Sequence, residues 1–174
     1  LAERLIKEYR IKNKEILEIG CWDGEFLKLL CSKSNSSGLG IDPAYKGPKN
    51  FGDIHFISDY FENVKEKISA DVLVLRHTLE HLSEPYKFLN YVVSKINTEN
   101  LTVIVEVPNF AWIAKEGAFW DITYEHVNYF DPHSLENLLS LARFSSFESF
   151  KTFGGQYLVM IARLSDRKSR LRVK

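Results

Sequence analysis

Hydrophobic and polar positions change period along this chain, and the changes mark its elements. Leu1, Leu5, Ile6 and Tyr9 share one side of a short amphipathic helix over residues 1–10. Residues 16–19 predict a first buried strand, 38–42 a second and 54–58 a third. Residues 71–75 (Asp-Val-Leu-Val-Leu) form an almost unbroken apolar run, the pattern of a strand covered on both faces, and 101–107 predict another. Phe26, Leu27, Leu29 and Leu30 line a crossover helix over 25–30, and residues 32–37 are a polar loop. Glu84-Pro85 opens a helix reaching about Ser94, because proline is tolerated in a first turn. Residues 110–130 are rich in aromatics without a clear period and predict an irregular insert or lid. Asp131-Pro132 has the chemistry of a helix N-cap followed by the first helical position, for a helix to about Arg143. Two β-rich runs, 146–152 and 157–163, are separated by Gly154-Gly155, a hairpin signal. Strands alternating with helices and closed by a hairpin predict an α/β fold with a parallel sheet and an antiparallel edge.

Composition narrows the function classes. The 174 residues suffice for one domain with one core, and 45% hydrophobic with 26% charged residues is ordinary for a soluble globular protein. A formal net charge of zero argues against nucleic-acid partners and anionic membranes, and the one basic cluster, 163–174, is expected to be a solvated end or linker. No apolar run is long enough to insert into a membrane, and no signal peptide is visible. Cys21 and Cys31 make neither a disulfide framework nor a zinc pattern, which suits a reducing, cytoplasmic setting. The chain begins at Leu1, so it is expected to be a domain cut from a longer protein with further fused domains.

In an open α/β sheet the ligand lies beyond the strand C-termini, so the residues there carry the chemistry. The first strand runs into Gly20-Cys21-Trp22-Asp23-Gly24, a turn that lets backbone N–H groups and a helix N-terminus approach a ligand closely. Glu18 precedes it, and a carboxylate there repels a phosphate and attracts a cation. That sign of charge, with no glycine at the third and sixth positions of the dinucleotide fingerprint, points to S-adenosylmethionine rather than a nicotinamide. Asp42-Pro43 follows the turn by about 20 residues, the distance for an acid accepting from ribose hydroxyls. Asp59-Tyr60 is placed for an adenine edge and face, and Arg76-His77 for the wall beside the amino-acid end.

These segments resemble a class I S-adenosylmethionine-dependent methyltransferase, and within that class the branch containing sugar C-methyltransferases of deoxysugar biosynthesis. The resemblance rests on Glu18-Ile19-Gly20-Cys21-Trp22-Asp23-Gly24, on Arg76-His77-Thr78-Leu79-Glu80-His81, on Glu106-Val107-Pro108-Asn109 and on Glu125-His126-Val127-Asn128-Tyr129-Phe130, and runs from about Glu15 to Arg163. It implies a three-layer, Rossmann-like fold with a mostly parallel seven-stranded sheet whose last strand is antiparallel. Trp22 stands where the broader class has a middle glycine, a position this branch also varies. Family members that methylate carbon carry a zinc-binding domain before this region and another domain after it, neither of which lies within these 174 residues.

The resemblance implies an acceptor site at Glu125 and His126, with His126 as general base for a sugar hydroxyl, since imidazole titrates near physiological pH. It assigns Glu80-His81 to the cofactor-side scaffold, with His81 packed and hydrogen-bonded. Asn109, Trp120, Tyr124 and Asn128 are the expected substrate contacts, although the family tyrosine falls one position earlier, where Thr123 stands. Trp112, Phe119, Trp120 and Tyr129 offer an apolar wall for sugar rings. Asp121, Glu125, His126, Asp131 and His133 include metal-ligand types, but their spacing matches no standard motif, so the expectation is no metal, with the magnesium that some sugar O-methyltransferases use as the minor alternative. The leading expectation is O-methylation of a sugar or glycan. C-methylation of a nucleotide-linked keto-sugar and a noncatalytic binding module in a glycan-modifying protein are the alternatives.

Overall fold

The computed structural model describes residues 1–98 and 100–165. Its strands are β1 (Glu15–Ile19), β2 (Ser37–Ile41), β3 (Asn50–Phe51), β4 (Ile54–Ile57), β5 (Val72–Arg76), β6 (Thr102–Pro108), β7 (Phe144–Thr152) and β8 (Tyr157–Leu164). They form one sheet in the order β3-β4-β2-β1-β5-β6-β8-β7. Strands β4, β2, β1, β5 and β6 are parallel, while β8 runs antiparallel to both β6 and β7. The reversed last strand is therefore as expected. The eighth strand is the two-residue β3, which turns back on β4 through Gly52 and is too short to leave a periodic signal.

Period-2 alternation explains the layers. Leu73 and Leu75 of β5, and Val103, Val105 and Val107 of β6, point to one face, where they join Leu89 and Val92 of α3 (Pro85–Lys95) and Leu135 and Leu139 of α5 (Pro132–Leu141). Val72, Val74 and Ile104 point to the other face, with Leu5 of α1 (Ala2–Tyr9) and Leu27 and Leu30 of α2 (Glu25–Ser34). Helices thus cover both faces, which is why the central strands read as unbroken apolar runs.

Several boundaries differ from expectation. Helix α2 runs on to Ser34, because Cys31 and Ser34 are buried on its core side and the serine hydroxyl returns to the Leu30 carbonyl at 2.7 Å. The segment after residue 109 is not wholly irregular. It opens with α4 (Phe110–Glu116), closed by Gly117 at φ 64°, and only then becomes a loop with a short 3-10 turn at Phe119–Asp121. Strand β7 begins at Phe144 and carries an irregularity between Ser145 and Glu148, where Ser146 takes φ 57°. The start of α5 is as predicted. Asp131 accepts from the Ser134 backbone N–H at 2.7 Å, and Ser134 Oγ accepts from the Asp131 N–H at 2.9 Å. Of the basic stretch 163–174, residues 166–174 lie outside the described residues.

Candidate active site

The strand order reverses at β1, with β2 on one side and β5 on the other, and a cavity of about 740 Å³ opens at the C-terminal ends of these strands. Its lining includes Glu18, Gly20, Cys21, Trp22, Asp42, Pro43, Arg76 and His77, eight of the eleven positions expected to hold a cofactor. Gly24, Asp59 and Tyr60 are not among the lining residues. Gly24 shapes the turn from behind: it is the N-cap of α2 at φ 75°, and a β-carbon there would come within 2.5 Å of the Phe56 ring. Asp59 Oδ1 accepts from the Tyr60 N–H and from Asn63 Nδ2, both at 2.7 Å, beside the short 3-10 turn Phe61–Asn63.

The glycine turn has a physical cause at each end. Gly20 takes φ 79°, and a β-carbon on it would collide with Thr78 Oγ1, which bonds the Ile19 carbonyl at 3.1 Å. Trp22 also has positive φ, at 46°, and its N–H donates to Asp42 Oδ2 at 2.8 Å. Asp42 Oδ1 accepts from the Ala44 N–H at 2.7 Å. The aspartate therefore fixes the tryptophan turn from the neighbouring strand while each oxygen keeps a lone pair for a ligand hydroxyl. The Trp22 side chain is 70% exposed at the mouth.

Glu18 lies on the α1/α2 face of β1 and is 2% exposed. Among the described residues, nothing hydrogen-bonds its Oε2. Burial is the main force raising its carboxyl to about 8, opposed by Arg76 and reinforced by Asp23, Asp42 and Glu106. Burial likewise pushes the Cys21 thiol up to about 12, with Glu18 and Asp42 adding to it, so Cys21 is a small apolar wall rather than a nucleophile. Arg76 is held on two sides. Its Nε donates to Glu106 Oε2 at 2.6 Å, and its guanidinium carbon lies 3.9 Å from the centre of the Phe26 ring. Glu106, 1% exposed, also accepts from Thr152 Oγ1 at 3.1 Å. His77 stands at φ 49°, edge-on to Tyr157 with ring centres 4.8 Å apart. Burial, then Asp121, Glu106 and Glu80, raise the Tyr157 hydroxyl.

The loop after β6 meets the cavity at His81, a lining residue carried by the segment after β5. His81 Nδ1 is 3.0 Å from the Glu125 carbonyl oxygen, and the His81 and His126 ring centres are 4.9 Å apart. His126 Nδ1 is 3.1 Å from the Asp121 carbonyl. A carbonyl only accepts, so both Nδ1 atoms carry their protons toward the backbone, which leaves each Nε2 to face other partners. Glu125 is exposed and accepts from Tyr124 O–H at 3.2 Å. Tyr124 is 92% exposed and Trp120, set edge-on to Phe119, is also exposed. The other two expected substrate contacts have interior partners. Asn128 Nδ2 donates to the Leu82 carbonyl at 2.5 Å and toward that of Leu79 at 3.3 Å. Asn109 is fully buried at the N-cap of α4, where its Nδ2 donates to the Gly155 carbonyl at 2.9 Å.

Sequence reasoning did not single out Phe26, Ala44, Thr78 or Leu82 as lining residues, nor Glu106 as the partner that fixes Arg76. For Glu106 a signal exists, since it is the one charge in an otherwise apolar strand. The other four are ordinary residues whose place depends on how the chain ends meet.

A family model described as a methyltransferase domain matches residues 1–145. No curated protein matches the sequence. Solved structures with similar folds include an S-adenosylmethionine-dependent methyltransferase from Archaeoglobus fulgidus, 20% identical, with TM-score 0.68 over 93% of this chain and 92% of the other. Human N-acetylserotonin methyltransferase in complex with S-adenosylmethionine is 16% identical, with TM-score 0.73 over 94% and 51%. A proposed O-methyltransferase of Nostoc punctiforme PCC 73102 is 18% identical, with TM-score 0.71 over 93% and 54%. The chain therefore spans about half the length of the latter two proteins. At these identities the structural likenesses carry the fold, while the family match over most of the sequence carries membership: this chain belongs to the methyltransferase domain family.

Proposed function

We propose that this domain transfers a methyl group from S-adenosylmethionine to a hydroxyl of a carbohydrate acceptor, in the cytoplasm, as part of glycan or sugar modification. One observation carries the reading: a single cavity joins a buried carboxylate lacking a donor, Glu18, and a strand-end acid, Asp42, to His81, whose ring centre lies 4.9 Å from that of His126. S-adenosylmethionine supplies an electrophilic methyl group on a sulfonium, with a cationic amine at one end and ribose hydroxyls at the other. The chain fits both ends. Glu18 offers the unpartnered Oε2 for an ammonium, and Gly20, where a β-carbon would strike Thr78, lines the same cavity. Asp42 offers the second lone pair of each oxygen to hydroxyl groups.

On the acceptor side, His126 is the residue assigned to remove the hydroxyl proton. Its Nδ1–H is anchored on the Asp121 carbonyl, which leaves the Nε2 lone pair as the base. Glu125 is assigned to orient the acceptor. Exposed Trp120, Phe119 and Tyr124, on the loop that bears His126, suit the apolar faces of a sugar ring. Holding acceptor and methyl donor in register supplies roughly 7–11 kcal/mol of the barrier by proximity, and a general base typically adds about 10²–10⁴-fold.

Calorimetric titration with S-adenosylmethionine, followed by mass analysis of sugar and nucleotide-sugar panels incubated with the protein, tests the reading. One-to-one cofactor binding and a single added methyl on oxygen are expected. His126→Ala is expected to lower turnover by about 10²–10⁴-fold with cofactor affinity retained. Full activity in that variant removes the base assignment, and failure to bind cofactor removes the enzyme reading.

A further inference from the structure

Glu80, His81 and His126 meet although 45 residues separate the two histidines. One ligand atom from each lies within 4.8 Å of the others. We propose that these three side chains bind a divalent first-row transition metal at the acceptor end of the cavity, a proposal that rests on the methyltransferase reading only for its catalytic consequence.

Three observations converge. Glu80 is 1% exposed, and neither carboxylate oxygen has a hydrogen-bond partner among the described residues. Its nearest basic atom is His77 Nδ1, 3.5 Å from Oε1. A carboxyl so buried, with no donor to either oxygen, is short of a partner. Second, both histidines are turned by backbone carbonyls, His81 by Glu125 and His126 by Asp121. A ring that donates Nδ1–H to a carbonyl has its tautomer and orientation set for metal binding through Nε2. Third, the cluster is supported on its backbone side, where the Val127 and Asn128 N–H groups both donate to the Glu80 carbonyl, at 2.9 and 3.1 Å. The loop bearing His126 is thereby stitched to the segment bearing Glu80 and His81.

Two imidazoles with one carboxylate favour manganese, iron, cobalt, nickel or zinc over magnesium, which prefers an all-oxygen shell. Metal bonds of about 2.0–2.2 Å place neighbouring ligands roughly 3–4 Å apart, so side-chain adjustment closes the shell. Three protein ligands leave positions open, and His81 lines the cavity, so those positions reach acceptor oxygens. A hydroxyl bound there loses its proton to solvent more readily, and His126 then acts as a metal ligand rather than as a free base.

The test uses the whole chain. Cobalt(II) absorption and manganese(II) calorimetry are expected to show one site, weakened at least tenfold in His81→Ala and in His126→Ala and unchanged in His55→Gln, an exposed histidine on β4 outside the cluster. Glu80→Gln should do the same. Because Glu80 is buried, the exposed His81 variant decides the matter if that protein fails to fold. Cofactor binding in each variant reports the fold and the other half of the cavity. Absence of stoichiometric metal, or equal binding in His81→Ala, overturns the metal site. Full methyl transfer in the presence of a chelator overturns its catalytic consequence and leaves His126 as the base. Absence of cofactor binding in the unaltered protein overturns the methyltransferase reading and leaves the metal site standing.

Discussion

Replacing Glu18 by glutamine separates what this side chain does for the fold from what it does for the ligand. Its carboxyl is raised from 4.5 to about 8, chiefly by burial. The unfolded chain ionises first as pH rises, so the folded state binds more protons in this window. Glu18 therefore burdens the fold increasingly between pH 4.5 and 8 and not at all below it. At pH 7 the burden is about 3 kcal/mol. Glutamine keeps the shape and stays neutral. The ligand-free variant should melt several degrees higher at pH 7, at roughly 2–4 °C per kcal/mol for a domain of this size, with the difference vanishing near pH 4.5. Binding should move oppositely. A charge-assisted hydrogen bond is worth about 1.5–3 kcal/mol, and ionising Glu18 at pH 7 takes back about 1.4 kcal/mol of it, so cofactor affinity should fall by up to roughly 15-fold at pH 7. An ammonium seated on Glu18 ionises it, so the unaltered protein should release about 0.9 proton from this group on binding at pH 7, and affinity should rise about fivefold from pH 7 to pH 8. Calorimetry in two buffers of different ionisation enthalpy measures the release. A glutamine variant with the same proton release and the same pH dependence of affinity as the original would refute the role assigned to Glu18.

Other perturbations follow from single contacts. Gly20→Ala forces a β-carbon into Thr78 at a positive φ and should abolish measurable cofactor binding while the far-ultraviolet circular dichroism persists. Arg76→Met leaves Glu106, 1% exposed, with Thr152 as its hydroxyl partner and should destabilise by about 3 kcal/mol in urea unfolding, an effect absent from the Arg76→Met, Glu106→Gln pair. Asp131→Ala removes the capping box of α5 and should cost about 1 kcal/mol. Bonds from Ser134 hold the Asp131 carboxyl below its ordinary 3.8, so this contribution is present above 3.8 and is lost as pH falls through the lower folded value, which an acid-unfolding series checks.

Strands at the centre of the sheet were legible because burial on both faces leaves almost no polar residue in β5. The turn at Gly20–Gly24 was legible because its residues are contiguous, and so was the start of α5 at Asp131-Pro132. Helix α4 was not legible, since seven residues with only Ile113 buried give too little period to set against the aromatics around it. Asp59 follows a strand as a ligand contact would, while its Oδ1 accepts from Tyr60 and Asn63 and the residue stands outside the cavity lining. The meeting of His81 with His126 was invisible for another reason. It depends on the paths of two loops, which hydrophobic period does not record.

The stitching of the acceptor loop has a consequence for engineering. Backbone and side-chain bonds tie Glu125, Val127 and Asn128 to residues 79–82, whereas Phe119, Trp120, Ile122 and Tyr124 stand out in solvent. The loop is thus two modules, a fixed base and an interchangeable tip. Phe119, Trp120, Ile122 and Tyr124 can be randomised together, provided Asp121, whose carbonyl aims His126 and whose carboxylate holds Gln156, and Thr123, whose carbonyl accepts from the His126 N–H, are kept.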